Sequence, residues 1–309
     1  MRSRIFALLT AVLIVLFICG CTASHKSSDG RVRIVTTIFP AYDFARQVFG
    51  GKADITLLLK PGTESHSYDP SARDIVKIDS CDLFIYNGGE SDAWVENVLK
   101  TTDDVNTLRM MSFVEVLEEE DIIGADTHDN HDAEEYDEHI WTSPKNAALI
   151  VDGIKSEAVR LDARNSEFYE QNASEYSGRI LELDSRFKKL LTGESRYFVF
   201  GDRFPLLYFF REYSLNYYAA FPGCSSETEP SAQTVAFIAE ELKESDTIKA
   251  VFCIELSNRK LAETLASENG LQTYEFHTCH NITADDFEAG ESYVSLMERN
   301  FRMLKAVLG

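Results

Sequence analysis

The fold is decided by a stretch that reads Val32-Arg-Ile-Val-Thr-Thr-Ile-Phe-Pro-Ala-Tyr-Asp-Phe-Ala-Arg-Gln-Val-Phe-Gly-Gly-Lys-Ala-Asp-Ile-Thr-Leu-Leu-Leu59. The β-branched run 32–37 and the apolar run 55–59 predict strands, and the amphipathic segment 41–49 predicts a helix between them. The same alternation continues, with strands predicted at 83–87, 197–200, 217–220, 250–254 and 272–276 and helices at 71–78, 91–99, 232–243 and 260–269. Alternating strands and helices indicate an α/β fold with parallel sheets.

A long helical segment separates two such α/β regions. Residues 147–191 contain no proline, and their apolar side chains recur every three to five positions, which is the spacing of one face of a helix. We therefore predict two lobes, 31–163 and 192–309, each with a parallel-rich sheet and flanking helices. One long rigid helix at 164–191 is predicted to bridge them.

The composition is that of a folded and acidic protein. Hydrophobic residues make up 44% of the 309 residues, which excludes global disorder. Against 30 basic residues stand 51 acidic ones, giving a formal net charge of -21. This charge argues against nucleic-acid binding, because phosphates must be met by Lys and Arg. An acidic surface instead favours the attraction of cations.

The amino terminus has the pattern of a lipoprotein signal. Two arginines precede an apolar run at 5–19, which has the length of a signal peptide and is short for a membrane span. The run ends in Phe17-Ile-Cys-Gly-Cys21. We predict that residues 1–20 are removed, that Cys21 carries the lipid anchor, and that 21–30 form a flexible tether. A plain signal peptide and an N-terminal anchor helix remain as alternatives.

Residues 115–138 form an acidic segment within the first lobe. It holds twelve acidic residues and no Lys or Arg, together with His128 and His131. Such a charge run does not pack and predicts a solvated loop. It serves either solubility alone or the weak collection of cations through His128, His131 and the carboxylates.

Candidate metal ligands follow the predicted strands. In open parallel sheets, ligands bind beyond the carboxyl ends of the strands. Residues of the ligand type stand in these positions at His66, Asp202, Glu255 and His277, with His280 three residues after His277. Imidazoles and a carboxylate from separate loops suit Zn²⁺ or Mn²⁺. The zincin helix, the nucleophile elbow and the phosphate-binding glycine loop are not found in the sequence, and we predict no enzymatic activity.

Several motifs, taken in order, resemble the zinc/manganese substrate-binding lipoproteins of ABC transporters, and the resemblance covers 31–309. The motifs are Ile34-Val-Thr-Thr-Ile-Phe-Pro-Ala-Tyr42, Leu59-Lys-Pro-Gly-Thr-Glu-Ser-His-Ser-Tyr-Asp-Pro-Ser71, Asp82-Leu-Phe-Ile-Tyr-Asn-Gly-Gly-Glu90, Asp137-Glu-His-Ile-Trp-Thr-Ser-Pro144 and Tyr293 with Met297 and Asn300. The acidic, histidine-bearing segment before His139 is similar to that of zinc-type members.

This resemblance implies a metal site in the cleft between the lobes. It places the first two ligands at His66 and His139. The family's third and fourth positions fall at Asp202 and His277, where this sequence departs from the usual residue types. Glu255 and His280 remain as the rival third and fourth ligands.

The function implied is extracytoplasmic capture of Zn²⁺, followed by delivery to an ABC permease with its ATPase. The protein is expected to be a lipid-anchored monomer that performs no chemistry. The alternatives are Mn²⁺ as the metal, a surface adhesin with an incidental metal, and a secreted zinc hydrolase with Glu255 as its base.

Four cysteines remain after processing, in an oxidising compartment. Cys224 and Cys279 both follow predicted strands of the second lobe, whereas Cys81 lies in the other lobe and Cys253 lies within a strand. We therefore predict a disulfide between Cys224 and Cys279.

Overall fold

A computed structural model of the protein describes residues 30–63, 68–102, 104–120, 136–193, 196–223 and 230–309. The first lobe contains a parallel sheet with the strand order β2-β1-β3-β4. Its strands are β1 (Val32–Thr36), β2 (Ala53–Leu57), β3 (Leu83–Tyr86) and β4 (Thr107–Arg109), and its flanking helices are α1 (Phe39–Phe49), α2 (Ala72–Asp79) and α3 (Trp94–Leu99).

Two helices connect this lobe to the second one. They are α4 (Pro144–Leu161) and α5 (Ser166–Leu191), which pack against each other. The helical segment predicted from 147 is therefore interrupted, at Asp162, where the backbone has φ -142° and ψ 68°. The carboxylate of Asp162 accepts hydrogen bonds from Asn165 and Tyr169, and these bonds fold the chain into a short 3₁₀ turn before α5 begins.

The second lobe repeats the topology of the first, with the parallel strand order β6-β5-β7-β8. Its strands are β5 (Tyr197–Phe204), β6 (Asn216–Pro222), β7 (Ala250–Ile254) and β8 (Gln272–Phe276), and its helices are α6 (Leu207–Tyr213), α7 (Ala232–Glu244), α8 (Lys260–Glu268), α9 (Ala284–Glu288) and the C-terminal α10 (Tyr293–Leu308). The predicted α/β fold with two parallel sheets is confirmed. Strand β4, with only three residues, is too short to show a periodic pattern.

The long helix α5 holds the lobes together. It contacts α1 of the first lobe and α10 at the end of the second. One continuous hydrophobic cluster runs from Val32 through both lobes to Leu304, and at its centre Phe44 packs edge-on against Tyr293 with ring centroids 5.2 Å apart. Because the lobes share this core, the bridge between them is a packed interface. Within the described part of the chain, no helix is long and apolar enough to span a membrane.

A buried carboxylate on α1 joins three helices at this interface. Asp43 is fully buried and accepts hydrogen bonds from Tyr176 Oη of α5 and from Tyr293 N at the start of α10. Its other oxygen accepts bonds from Arg46 and Gln47 on its own helix. The carboxylate therefore caps the C-terminal helix from the opposite lobe, where the positive end of the helix dipole favours an anion.

Replacing Asp43 with Asn is expected to lower the free energy of unfolding by roughly 2–3 kcal/mol, because hydrogen bonds to a charged group are lost and an amide donor faces other donors. Thermal unfolding monitored by calorimetry measures this loss. Gln47→Ala is the matched control, since Gln47 bonds to the same carboxylate without linking the lobes. Equal destabilisation by both variants would contradict an inter-lobe role for Asp43.

Candidate metal site

The cleft between the lobes lies at the topological switch point of each sheet, where the chain stops adding strands on one side and begins to add them on the other. In the first sheet this point is between β1 and β3, and in the second it is between β5 and β7. Open parallel sheets bind ligands at such points, beyond the carboxyl ends of the strands. A cavity of about 520 Å³ occupies this position, and its lining includes His139 from the first lobe with Asp202, Glu255 and His280 from the second.

His139 is the ligand candidate that the first lobe presents to the cleft. Its side chain is fully buried, and its Nδ1 lies 3.3 Å from Oδ1 of Asp137. The same oxygen accepts the backbone N–H of His139 at 2.7 Å. Because an ionised carboxylate only accepts hydrogen bonds, this contact places the imidazole proton on Nδ1 and leaves the Nε2 lone pair for a metal ion.

The surroundings of His139 also shift its affinity for protons. Burial lowers the pKa of this imidazole, but the charge of Asp137 and its hydrogen bond, with contributions from Glu138 and Glu119, leave the pKa above the ordinary histidine value. A negative environment that stabilises an imidazolium also stabilises a bound cation. The site is therefore electrostatically suited to a positively charged ligand.

The residue between Asp137 and His139 is fixed by the first sheet. The backbone carbonyl of Glu138 accepts a bond from Asn87 Nδ2 at 2.8 Å, and its side chain accepts the Ser91 N–H at 2.6 Å. Gly89 makes this approach possible, because a Cβ atom there would lie 2.3 Å from Glu138 Cδ. The chain entering His139 is thus packed against the carboxyl end of β3.

Gly89→Ala is expected to displace Glu138 and to weaken zinc binding by roughly tenfold or more, as loss of an outer contact does at other metal sites. A zinc titration against a competing chelator measures the change. Gly51→Ala is the control, because a Cβ there meets no atom within 4 Å. Unchanged zinc affinity in Gly89→Ala would show that the packing of Glu138 does not support the site.

His280 is the ligand candidate that faces His139 from the second lobe. The two imidazole centroids are 5.3 Å apart, and the indole of Trp141 lies 5.0 Å from the His280 ring. His280 also borders a smaller cavity of about 20 Å³ at the reversal point of the first sheet, next to Asn87 and Glu138. Its side chain therefore reaches across the cleft to the first lobe.

Hydrogen bonds from distant residues hold the turn that carries His280. Both oxygens of Glu255 accept bonds from Thr278, from the backbone N–H at 2.7 Å and from the hydroxyl at 2.5 Å. The indole N–H of Trp141 donates to Thr278 O at 2.9 Å. Glu255 thus supports the turn, and both of its oxygens are engaged.

His277, the fourth ligand in the sequence prediction, lies on the other side of this turn. Its Nδ1 accepts the backbone N–H of Cys279 at 2.9 Å, which stabilises the left-handed backbone of Cys279 at φ 63°. The amide of Asn300 binds both the N–H and the C=O of His277. With its Nδ1 lone pair occupied, a neutral His277 carries its proton on Nε2, and that nitrogen has no lone pair for a metal ion.

Asp202 lies on the cleft wall, and its carboxylate is bound by backbone donors. Its Oδ1 accepts the Arg203 N–H at 2.9 Å and its Oδ2 accepts the Ile254 N–H at 3.2 Å. The structure extends β5 past this residue to Phe204, with an irregular register between Phe200 and Arg203. A bulge of this kind redirects side chains at a sheet edge.

Loops that flank the cleft are tied together across the lobes. The side-chain amide of Asn281 donates to the carbonyls of Lys60 and Thr63 at 3.0 and 2.6 Å. The N–H of Gly62 donates to Ile282 O at 2.7 Å. The loop that leads to His66 is therefore attached to the turn that carries His280, which lies two residues before Ile282.

The described residues contain no group of three or more His, Cys, Asp or Glu side chains arranged to hold a metal ion. The predicted ligand His66, the accessory His128 and His131, the anchor Cys21 and the cysteine Cys224 all lie outside the described residues. The structure thus brings together His139 and His280 and places Asp202 in the same cleft.

The predicted disulfide between Cys224 and Cys279 stays a prediction, because Cys224 lies outside the described residues. Cys279 is buried, and it belongs to the hydrophobic core beneath the metal cleft. Burial, with the nearby charges of Glu255 and Asp43, raises the pKa of this thiol well above its ordinary value. The sequence analysis places Cys279 at the rim of the sheet, whereas the structure buries its side chain.

The sequence analysis did not identify the supporting residues Asp137 and Trp141 as parts of the site. The signal for Asp137 is its position two residues before His139, which allows one carboxylate to accept both the backbone N–H and the ring N–H. For Trp141 the indole contact to Thr278 joins residues 137 positions apart. A contact over that distance has no local sequence pattern.

Comparison with known proteins agrees with this architecture. The model of the ZnuA family, described as zinc-uptake complex component A periplasmic, matches residues 34–307. Zinc-binding lipoprotein AdcA of Streptococcus pneumoniae is 32% identical over 303 residues, which cover 97% of this chain but only 60% of AdcA. The high-affinity zinc uptake system protein ZnuA of Bacillus subtilis is 29% identical over 311 residues, covering 98% of this chain and 96% of that protein.

Solved structures show the same relationship. The Zn(II)-bound ZnuA-like domain of S. pneumoniae AdcA is 31% identical, with a TM-score of 0.75 over 90% of this chain and 99% of that chain. The metal-dependent lipoprotein YcdH from B. subtilis is 28% identical, with a TM-score of 0.76 over 90% of this chain and 100% of that chain. The family predicted from the sequence motifs is therefore confirmed, and this chain belongs to the ZnuA family of zinc-uptake proteins.

Proposed function

We propose that this protein captures Zn²⁺ in the cleft between its lobes and delivers it to an ABC permease with its associated ATPase. The observation that carries the proposal is the pair of imidazoles, His139 and His280, that face each other from opposite lobes. Asp137 leaves one nitrogen of His139 free of its proton for coordination. The names of the relatives AdcA and ZnuA support zinc as the cargo.

The proposed ligand set is His66, His139, Asp202 and His280. Three imidazoles and one carboxylate suit tetrahedral Zn²⁺, and nitrogen donors favour Zn²⁺ over Mn²⁺ in the Irving–Williams order. His280 replaces His277 in this set because its ring faces His139, whereas the Nδ1 of His277 accepts a backbone hydrogen bond. Asp202 is kept as the carboxylate of the set because it occupies the family's third position, and Glu255, which lines the same cavity, remains its rival: both oxygens of each carboxylate accept hydrogen bonds.

We further propose that the protein acts outside the cytoplasmic membrane, anchored through lipid on Cys21, and works as a monomer without catalysis. The lipoprotein names of its relatives support the anchor. The alternative of a zinc hydrolase assigns the base to Glu255, and in the structure this carboxylate accepts two hydrogen bonds from Thr278 and holds the turn there.

Elemental analysis of the protein purified from its own cell envelope tests the identity of the cargo. We expect zinc at one equivalent per chain, and growth of a deletion strain should fail in zinc-depleted medium and recover with added zinc. Manganese as the bound metal would assign the protein to the alternative cargo. Normal growth of the deletion strain at scarce zinc, with loss of attachment to surfaces, would support an adhesin.

A further inference from the structure

A tyrosine hydroxyl of the second lobe forms hydrogen bonds with the backbone of the first lobe close to His139. Tyr208 lies in the first turn of α6, and its side chain is 4% exposed. Its hydroxyl accepts the N–H of Leu117 at 2.9 Å and donates to the carbonyl of Asp137 at 3.0 Å. The Tyr208 hydroxyl of the second lobe therefore acts both as a donor and as an acceptor toward backbone groups of the first lobe.

Leu117 and Asp137 lie near the two ends of the acidic segment 115–138, and their backbones are hydrogen-bonded to each other. The N–H of Asp137 donates to Leu117 O at 2.9 Å, and Glu118 pairs with Tyr136 in an antiparallel bridge. The Tyr208 hydroxyl completes a closed set of hydrogen bonds at this junction. The backbone of Asp137 is therefore held at its N–H by Leu117 and at its carbonyl by Tyr208 of α6.

The position of Asp137 in turn determines the orientation of His139. Its carboxylate holds the backbone N–H of His139 at 2.7 Å and the ring Nδ1 at 3.3 Å. Of these two bonds the ring contact is the longer, so a small displacement of Asp137 breaks it first. Metal sites require their ligands to be held within about 0.5 Å of the productive geometry.

We infer that Tyr208 is a positioning residue through which the second lobe controls the orientation of His139. The inference rests on the proposed zinc-binding function and extends it to the regulation of the same site. Helix α6 also contacts the 3₁₀ turn Ile140–Thr142 that directly follows His139. A displacement of α6 relative to the first lobe therefore loosens His139 without contact between α6 and the metal ion, which couples metal release to the arrangement of the lobes.

Tyr208→Phe removes the hydroxyl and keeps the aromatic ring. We expect this variant to bind zinc about 10- to 100-fold more weakly, the range found for outer partners of metal-bound histidines, with most of the change in the dissociation rate. Tyr217→Phe is the matched control. Its hydroxyl comes from the same lobe and contacts the acidic segment at Glu120, but it makes no hydrogen bond to Asp137 among the described contacts.

The absorption spectrum of the Co²⁺-loaded protein reports on ligand geometry and is insensitive to overall stability. The Co²⁺ bands should shift in Tyr208→Phe and stay unchanged in Tyr217→Phe. Asp137→Asn tests the same link while leaving Tyr208 in place, and it should give the same shift. In the Asp137→Asn background, Tyr208→Phe should change the zinc dissociation rate by less than about twofold, because coupled residues are not additive.

Wild-type zinc affinity and wild-type Co²⁺ bands in Tyr208→Phe would overturn the inference. The inference would also be overturned if Tyr208→Phe weakened zinc binding in the Asp137→Asn background as much as it does in the wild-type protein. Tyr208 would then affect the site without acting through the Asp137 carboxylate. Failure of the unmodified protein to bind zinc would instead overturn the proposed function, so the two hypotheses are tested separately.

Discussion

Replacing His139 with alanine is expected to weaken zinc binding by two to three orders of magnitude. A four-ligand structural zinc site is worth about 10–16 kcal/mol in total, so one ligand accounts for roughly 3–4 kcal/mol. His139 is fully buried and oriented by Asp137, so no solvent-exposed side chain can move into its place at low cost. Titration with zinc in the presence of a competing chelator measures the loss.

The control for this variant is Asp137→Asn, which keeps the imidazole and alters only its orientation. It should weaken binding by about 10- to 100-fold, clearly less than loss of the ligand itself. If His139→Ala retained wild-type affinity, the assignment of His139 as a ligand would be wrong. Equal losses in the two variants would mean that the orientation of the ring, and not its presence, limits binding.

Replacing His280 with alanine is expected to have an effect of the same size as His139→Ala. The two rings face each other across the cleft, and the removal of either leaves a zinc ion held mainly from one lobe. The expected loss is again roughly 3–4 kcal/mol of binding free energy. The zinc stoichiometry at micromolar metal and the chelator titration together measure it.

His277→Gln is the matched control for His280→Ala. The glutamine carbonyl can accept the Cys279 N–H that His277 Nδ1 accepts in the structure, so the turn is kept while the imidazole is lost. We expect zinc affinity within a few-fold of wild type. A loss in His277→Gln as large as that in His280→Ala would restore His277 as the fourth ligand and remove His280 from the proposed set.

Local sequence patterns were sufficient for the architecture. Strands β7 and β8 have the bounds that were predicted, because their β-branched and aromatic runs are flanked by polar turns. The break between α4 and α5 was missed, since the side chain of Asp162 closes the turn through Tyr169, and neither proline nor glycine marks the position. The prediction of two lobes rested on the alternation of strands and helices along the chain, and this alternation does not depend on the exact bounds of each element.

The sequence alone also determined the family and the place of His139, because both follow from motifs that are contiguous in the chain. Only the tertiary structure decided which way the residues of the second-lobe turn point. His277 and His280 are three residues apart in an irregular turn, where no helical or strand periodicity fixes their directions. The turn is held by a hydrogen bond between His277 and Asn300 and by bonds between Thr278 and both Glu255 and Trp141. These partners are 23 to 137 positions apart in the sequence and come together only when both lobes are folded.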